Sequence, residues 1–303
     1  MLYRDAVRAF LLERRRRGLS PATLVNYERI LGEDLYRALG DRALEGITLD
    51  DLRQWVDEKY DRGLRVHSIW SYIVVAQAFF TWCVEEGLLD KSPAARLRRP
   101  RLPRPLPRAL SEREVALLLR AARQGKNPER DEALILFLLD SGARRGAVAR
   151  LTLDDIDWAQ GVARAWTKGG RQVFLFFGPE TARALRRWLA VRRPDTFADG
   201  VHPRSLFGLK PSGLRQVFRR LRERAGIQAR VSPHILRHTS AVLRVEAGID
   251  ASTLAQIMGW TTIRMAEVYT RMSLRRLRRK ADQTSPVSSI RQAGLLDDED
   301  TSP

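Results

Sequence analysis

The segment Arg98–Arg108, with the sequence RRPRLPRPLPR, constrains the fold of this chain more than any other stretch. It contains four prolines and five arginines. Proline fixes φ and lacks a backbone N–H donor, so this segment should form neither a helix nor a sheet. We therefore predict a basic linker over residues 98–108, between a helical domain at 1–97 and a second domain at 109–283. An acidic, disordered tail is expected at 284–303.

The distribution of charge distinguishes the two domains. The 303 residues include 54 Lys or Arg and 36 Asp or Glu, which gives a net charge of +18. Residues 1–100 carry 17 basic against 15 acidic side chains, residues 101–280 carry 36 against 16, and residues 281–303 carry 1 against 5. A GC-rich coding sequence would explain the preference for Arg over Lys, but it would not confine the excess to one region. The second domain is therefore predicted to bind a polyanion, with nucleic acid as the leading candidate.

The sequence also limits the compartment and the metal chemistry of the protein. No apolar run is long enough to span a membrane, and the start MLYRDAVRAF lacks the apolar core of a signal peptide, so we expect a cytoplasmic protein without membrane contact. The one cysteine, Cys83, lies in the run AFFTWCV and is expected to be a small core residue. This count excludes disulfides within the chain and a cysteine-based metal site.

The pattern of apolar residues predicts a mainly α protein. Residues 1–92 have helical periodicity with a capping box at Thr48–Asp51, and should form a bundle of four or five helices. A second capping box, Ser111–Glu114, opens a mostly helical second domain that ends with a basic helix near 274–280. Within that domain, VARAWT and QVFLFF have strand composition and flank the turn Lys168–Arg171, which predicts one small antiparallel sheet.

The stretch SPHILRH predicts a helix start with an anion-binding corner. Ser232 is a good N-cap and Pro233 suits the first helical position. His234 and Arg237 then share a face beside the unpaired N–H groups and the positive end of the helix dipole, which suits a phosphate. An ordinary basic surface turn is the open alternative. A zinc pair from His234 and His238 is disfavoured, because the chain has only four His and one Cys to complete a site.

Four segments of the second domain, taken together in order, resemble the tyrosine recombinases of the phage-integrase and Xer type. They are SGARRGAVARLTLDDID, WTKGGRQVFLF, HILRH and MGWTTIRMAEVYT. Upstream, LSPATLVNYERIL and AFFTWCVEEGLLDKSPA resemble the N-terminal DNA-clamping domain of that family, so the resemblance covers residues 1–280. It implies a helical clamp followed by a catalytic domain with six catalytic residues: Arg144, Lys168, His234, Arg237, Trp260 and the nucleophile Tyr269.

The resemblance also implies the reaction and the partners. The protein would cut and rejoin a double-stranded DNA recombination site through a 3′-phosphotyrosyl intermediate and a Holliday junction, without cofactor, metal or ATP. It would act as a homo-tetramer or as a hetero-tetramer with a paralogue, and accessory proteins could be further partners. The acidic cluster Asp154, Asp155 and Asp157 falls where, as the resemblance implies, the family has a structural junction between helix and strand, so a metal is not expected there.

The predicted residue types fit this chemistry. Arg144 and Arg237 can donate in forked pairs to the non-bridging phosphate oxygens, and Lys168 can protonate the leaving 5′ oxygen. The phenol of Tyr269 needs a cationic pocket or a base such as His234. Trp260 can donate its indole N–H to the phosphate and form a wall of the pocket.

One residue departs from the family pattern and keeps two alternatives open. Ala147 stands where the first arginine box usually carries an acidic residue. Its presence motivates the alternative of a DNA-binding protein that keeps the recombinase fold with impaired catalysis. The other alternative is a type IB-like topoisomerase, against which the N-terminal clamp argues.

Overall fold

The computed structural model describes residues 1–102, 108–166 and 170–270, and the single residues 278, 281, 282 and 287. Contacts divide the chain into two compact units, Met1–Pro105 and Leu106–Pro303. The domain boundaries given above stay predictions. Some predicted features fall wholly or mostly outside the described residues: the centre of the linker, the turn that holds Lys168, the helix near 274–280 and the acidic tail.

The first unit is built from helices. Its α-helices are α1 (Tyr3–Arg16), α2 (Pro21–Tyr27), α3 (Tyr36–Leu39), α4 (Leu49–Asp61) and α5 (Val66–Glu85), with a π-helix at Glu28–Leu35 and a 3-10 turn at Leu44–Gly46. Buried aromatic and aliphatic side chains from α1, the π-helix, α4 and α5 form one core. Cys83 of α5 is fully buried in it, and burial raises the pKa of its thiol to about 12. The prediction that Cys83 is a small core residue is confirmed.

Two polar features fix the ends and faces of these helices. Thr48 and Asp51 form the predicted capping box at the start of α4, where the Thr48 backbone N–H donates to Asp51 Oδ2 at 2.8 Å. Asp34 of the π-helix accepts hydrogen bonds from Trp55 Nε1 at 2.8 Å and from the buried Lys59 Nζ at 2.7 Å, both of α4. A buried charge is tolerated when it is paired in this way, so these contacts hold the π-helix against α4.

The second unit is mostly helical and carries one sheet. Its helices are α6 (Glu112–Arg123), α7 (Pro128–Ser141), α8 (Arg145–Val148), α9 (Pro179–Val191), α10 (Pro211–Arg224), α11 (Pro233–Glu246), α12 (Ala251–Ile257) and α13 (Arg264–Thr270). The strands β1 (Ile156–Asp157), β2 (Val162–Trp166) and β3 (Gln172–Phe176) form an antiparallel sheet in the order β1-β2-β3, and short 3-10 turns lie at Leu153–Asp155 and Pro194–Thr196. The predicted fold class, mainly α with a small antiparallel sheet, is confirmed.

Helix α7 lies at the centre of this unit, packed against α6, α9 and α11. It is buried on most sides, which its sequence ALILFLL requires. The predicted capping box at Ser111 and Glu114 opens α6, and Ser232 Oγ accepts from the Ile235 backbone N–H at 3.3 Å at the start of α11, with Pro233 in the first helical position. These local predictions are confirmed, and they fix where α11 begins.

The three clustered aspartates have structural partners at the entry to the sheet. Asp155 accepts from the Thr152 backbone N–H at 2.8 Å, Asp157 accepts from the Ala159 N–H at 3.1 Å, and Asp154 pairs with Arg204. These carboxylates therefore stabilise the junction between the 3-10 turn and β1. Among the helices of the described ranges, none is both long and apolar enough to cross a membrane.

Candidate active site

The second unit contains a cavity of about 650 Å³, and five of the six predicted catalytic side chains line it: Arg144, His234, Arg237, Trp260 and Tyr269. The sixth, Lys168, lies outside the described residues, between the end of β2 and the start of β3. Among the described residues, five arginines line the cavity: Arg144, Arg145, Arg215, Arg230 and Arg237. No Asp or Glu is found among the described residues that line it. The cavity is therefore complementary to an anion.

Arg144 is presented by the turn between α7 and α8. Helix α7 ends at Gly142, whose φ of 57° is left-handed, and the extended Arg144 then precedes the first residue of α8. A Cβ on Gly142 would lie 2.6 Å from Met258 Sδ, so a larger residue would require the Met258 side chain to shift and would also strain the left-handed backbone. The Arg144 side chain is exposed and forms no ion pair with another residue of the described ranges. Ala147 packs its methyl group against the core, so it supplies no carboxylate to Arg144.

Arg237 extends from the first turn of α11 and is only 6% exposed. Its Nη1 donates to the carbonyl oxygen of Gly142, and its Nη2 donates to the carbonyl oxygen of Met258 at 2.6 Å. Burial, reinforced by the charge of Arg144, lowers the pKa of Arg237 to about 10. The guanidinium stays charged at neutral pH, and it joins the end of α7 to the end of α12 at the floor of the cavity.

Tyr269 lies on α13 with its ring stacked on Trp260, at 5.2 Å between ring centroids and 13° between planes. Tyr269 is 6% exposed and Trp260 8%. The Arg237 guanidinium lies over the indole ring of Trp260, 5.5 Å from its centroid. Trp260 forms a wall of the cavity, as predicted, and its indole N–H donates to no other residue of the described part. The phosphate contact predicted for this N–H stays a prediction.

The Tyr269 hydroxyl is hydrogen-bonded to Nδ1 of His238, a residue that the sequence reasoning did not place in the catalytic set. Nε2 of His238 lies 2.8 Å from Nε2 of His234. His234, the base suggested from the sequence, is therefore separated from the phenol by His238. The available signal was the spacing of four residues between the two histidines, which puts both on one face of a helix.

The protonation states follow from burial and from the arginines. Burial raises the pKa of Tyr269 to about 12, against an opposing effect of Arg237. Burial, followed by the charges of His234 and Arg237, lowers the pKa of His238 to about 4, and burial with Arg237, Arg230 and Arg144 lowers the pKa of His234. At pH 7 the phenol is protonated and both imidazoles are neutral. The sequence motifs did not identify Arg215 and Arg230, which line the cavity and are exposed.

Comparison with known proteins gives the class of this chain. The model of the "Phage integrase family" matches residues 108–276, and that of the "Phage integrase, N-terminal SAM-like domain" matches residues 7–87. The chain therefore belongs to the phage integrase family.

Within that family its similarity is to tyrosine recombinases of the Xer type. The tyrosine recombinase XerC of Corynebacterium glutamicum is 31% identical over 279 residues, which cover 89% of this chain and 87% of that protein. The chain is an Xer-like tyrosine recombinase enzyme, and the resemblance stated from its motifs is confirmed.

Two solved structures share the fold. The Tn1549 transposon integrase in complex with a circular intermediate DNA has a TM-score of 0.73 and 19% identity, and the alignment covers 93% of this chain and 99% of that one. A lambda integrase tetramer bound to a Holliday junction has a TM-score of 0.69 and 18% identity, with 86% and 78% covered. At these identities the likeness concerns the fold.

Proposed function

We propose that this chain is a site-specific DNA recombinase that cuts and rejoins duplex DNA through a 3′-phosphotyrosyl intermediate and a Holliday junction. One observation carries the proposal: Arg144, His234, Arg237, Trp260 and Tyr269, separated by up to 125 residues in sequence, line one cavity that five arginines make cationic. A phosphodiester is the anion that a nucleophilic hydroxyl in such a cavity can attack.

Charge neutralisation is assigned to the arginines. The Arg144 guanidinium, which has no ion pair within the described ranges, can donate in a fork to one face of the scissile phosphate. Arg237 retains donors beyond the two that it gives to backbone carbonyls, and these can reach the other non-bridging oxygen. Because these fixed positive charges can stabilise the developing negative charge, the proposal includes neither a metal ion nor ATP.

The chemical step is a transesterification. The Tyr269 oxygen gives its proton to a neighbouring imidazole and forms a bond to phosphorus as the bond from phosphorus to the 5′ oxygen breaks. The leaving oxygen takes a proton from Lys168. The 3′-phosphotyrosyl linkage is itself a phosphodiester, because one ester bond has replaced another, so a 5′ hydroxyl from a second strand can attack it and release Tyr269. Two such exchanges form and resolve a Holliday junction. The role of Lys168 rests on the resemblance of its segment to the family hairpin.

The proposed assembly is a tetramer of this chain, alone or with a paralogue, on two copies of a DNA site. Its support is the fold shared with the lambda integrase tetramer bound to a Holliday junction. The strongly basic composition of residues 101–280 fits a DNA partner. Because duplex DNA is the proposed substrate, the proposal places the activity in the cytoplasm.

The decisive experiment is covalent capture. The full chain is incubated with a library of nicked duplexes of randomised sequence, in which cleavage beside the nick releases a short fragment and prevents rejoining. We expect an adduct that survives denaturation with the wild type, and none with Tyr269→Phe, while both proteins bind DNA equally.

Three other outcomes contradict the proposal. DNA binding without an adduct, on every sequence in the library, would favour a recombinase-fold protein with impaired catalysis. An adduct with relaxation of supercoils but without junctions would favour a topoisomerase. An adduct that persists in Tyr269→Phe would assign the nucleophile to another residue.

A further inference from the structure

Three side chains of the cavity form a continuous hydrogen-bonded chain. His238 Nδ1 is bonded to the Tyr269 hydroxyl, and His238 Nε2 lies 2.8 Å from His234 Nε2. The two imidazole rings meet edge to face, with 4.2 Å between centroids. The geometry follows from α11, because residues four apart lie one above the other on a helix, and from the packing of α13 against α11.

The contacts allow two arrangements of the protons in this hydrogen-bonded chain, which run in opposite directions. An N–N contact of 2.8 Å is a hydrogen bond only if one of the two nitrogens carries a proton. In the arrangement that can deprotonate Tyr269, the phenol donates to Nδ1 of His238, which therefore holds its own proton on Nε2. That proton is donated to Nε2 of His234, which holds its proton on Nδ1. In this arrangement each neutral imidazole accepts at one nitrogen and carries its proton on the other.

We propose that His238 is a further catalytic residue, which relays the proton of Tyr269 to His234 during strand cleavage. This inference rests on the proposed function. As the Tyr269 oxygen bonds to phosphorus, its proton passes to His238 Nδ1, and the proton on His238 Nε2 passes to His234 Nε2. His238 ends neutral, as its other tautomer, and His234 ends as the imidazolium. When the 5′ hydroxyl attacks the phosphotyrosyl bond, the same protons return in reverse order.

The surroundings determine which imidazole holds the charge. His238 is partly buried, whereas His234 is exposed towards the cavity where the phosphate would bind. An imidazolium at His234 would be stabilised by the phosphate charge, and one at His238 would lose more hydration. The other titratable and charged groups of the described residues that line the cavity come from α11, α13, the α7–α8 turn, α8, the loop before α11 and α10: Arg237, Tyr269, Arg144, Arg145, Arg230 and Arg215.

These neighbours also give the relay a condition. With five of these six groups cationic and none of the described lining residues acidic, both histidines are held neutral until an anion enters the cavity. Bound phosphate cancels part of this positive charge and makes His234 more basic. The phenol is therefore deprotonated only when the scissile phosphate is in place, which protects free Tyr269 from becoming a phenolate in the absence of DNA.

The test uses His238→Asn in the full chain. The asparagine side chain can place an oxygen near the position of Nδ1, where it accepts from the Tyr269 hydroxyl but cannot carry a proton onward. Single-turnover cleavage of the captured duplex is measured for wild type and variant, with DNA binding as the check on folding. We expect cleavage to fall by roughly 100-fold or more, the usual contribution of general base catalysis, with DNA binding unchanged. His202→Asn is the matched control, because His202 is exposed and does not line the cavity.

The pH profile separates a relay from simple positioning. The wild-type rate should be flat from about pH 7 to about pH 9, because the neutral imidazoles accept the proton throughout that range. In His238→Asn only the phenolate fraction can react, and burial holds the pKa of Tyr269 at about 12. The variant rate should therefore rise about tenfold for each pH unit. A slower variant whose profile runs parallel to the wild type would make His238 a positioning residue and overturn the relay.

A second variant protects the test against misfolding of the first. His238→Ala should cleave slowly and be accelerated by added imidazole, which can occupy the vacated space and accept the proton. The double variant His238→Ala, Tyr269→Phe should give no protein–DNA adduct even when imidazole is added. If His238→Asn, or His238→Ala without imidazole, cleaves at the wild-type rate, the relay is overturned and the recombinase proposal is unaffected. Absence of an adduct with the wild type instead overturns the recombinase proposal.

Discussion

The guanidinium of Arg237 carries five N–H groups, and two of its nitrogens are directed at backbone carbonyls of its own chain. Those carbonyls belong to Gly142 and Met258, in the segments that present Arg144 and Trp260 to the cavity. The same side chain is assigned to the scissile phosphate under the proposed function. An arginine that donates both to backbone carbonyls of the site and to the substrate cannot be replaced by a residue with a single donor nitrogen.

Arg237→Lys tests this double role. A lysine has one ammonium group, which cannot reach both carbonyls and a phosphate at once. We expect the free energy of unfolding of the second unit to fall by about 1–3 kcal/mol, because a buried carbonyl loses its donor. Cleavage should fall by roughly 100-fold or more, as when one donor to a transition-state oxygen is removed. Thermal unfolding and adduct formation measure the two effects.

Arg183→Lys is the control for this substitution. Arg183 lies on α9, is exposed, and pairs with Glu180, so the same chemical change removes no contact to a buried backbone group. Its stability and its cleavage rate should equal those of the wild type. An Arg237→Lys protein as stable as this control would show that the two carbonyl contacts are dispensable.

The sequence identifies single residues of the site better than it identifies their contacts. Arg237 and Tyr269 were predicted because each stands in a short motif with a recognisable spacing. The bond between His238 and Tyr269 joins residues 31 apart, and it depends on how α13 packs against α11. No local pattern encodes such a contact, so the sequence suggested His234 for a position that His238 occupies.

At the scale of the secondary structure element, the C-terminus of α7 connects the core to the site. The helix ends in the left-handed Gly142, whose carbonyl accepts from Arg237 and whose Cα faces Met258. Because α7 is buried against α6, α9 and α11, this end is held rigidly. A change at Gly142 therefore affects both the helix end and the direction of the Arg144 turn.

Gly142→Ala should be destabilising and should also reduce cleavage. Its Cβ would lie 2.6 Å from Met258 Sδ at a φ of 57°. We expect a loss of about 1–3 kcal/mol in the free energy of unfolding from strain and overpacking, with a lower rate of adduct formation because the Gly142 carbonyl moves away from Arg237.

Gly226→Ala is matched to that substitution. Gly226 has a φ of 64°, in the same unit, and a Cβ there would meet nothing within 4 Å. Gly226→Ala should lower the free energy of unfolding by about 1–2 kcal/mol, because alanine is strained in the left-handed backbone conformation, and cleavage should be unchanged. Equal effects of the two substitutions on both measurements would contradict a role for the close approach to Met258.

Elements with a local signal were predicted well, and elements without one were not. The capping boxes at Thr48 and Ser111 and the start of α11 at Ser232 are determined by side chains within three residues of the helix end. The π-helix at Glu28–Leu35 has no such signal. Its position coincides with the bonds from Asp34 to Trp55 and Lys59, which are tertiary contacts that a periodic pattern does not contain.

At the scale of the whole molecule, charge is the property that the fold organises. Residues 101–280 carry 36 of the 54 basic side chains, and five arginines of this region line the cavity. Arg215 and Arg230 are exposed and stand beside the residues assigned to the scissile phosphate. They are suited to neighbouring phosphates of the same duplex, where contacts add affinity without reading the base sequence.

DNA binding by the full chain should therefore weaken steeply with salt. The slope of log K against log salt concentration should decrease in magnitude by about 0.9 for Arg215→Gln and for Arg230→Gln, as one counterion-releasing contact is lost in each. Arg183→Gln should leave the slope unchanged. Fluorescence anisotropy with a labelled duplex of arbitrary sequence measures all four proteins. A wild-type slope retained by both cavity variants would exclude these arginines from phosphate contact.

The buried position of Cys83 has a practical consequence for studies in solution. Its thiol is enclosed in the core of the first unit, and burial holds its pKa near 12, so alkylating dyes have no native target while the protein is folded. A cysteine introduced at a surface site in either unit would accept a maleimide fluorophore alone. Pairs of such sites would allow single-molecule energy transfer to follow the protein as it engages DNA, without first removing a wild-type residue.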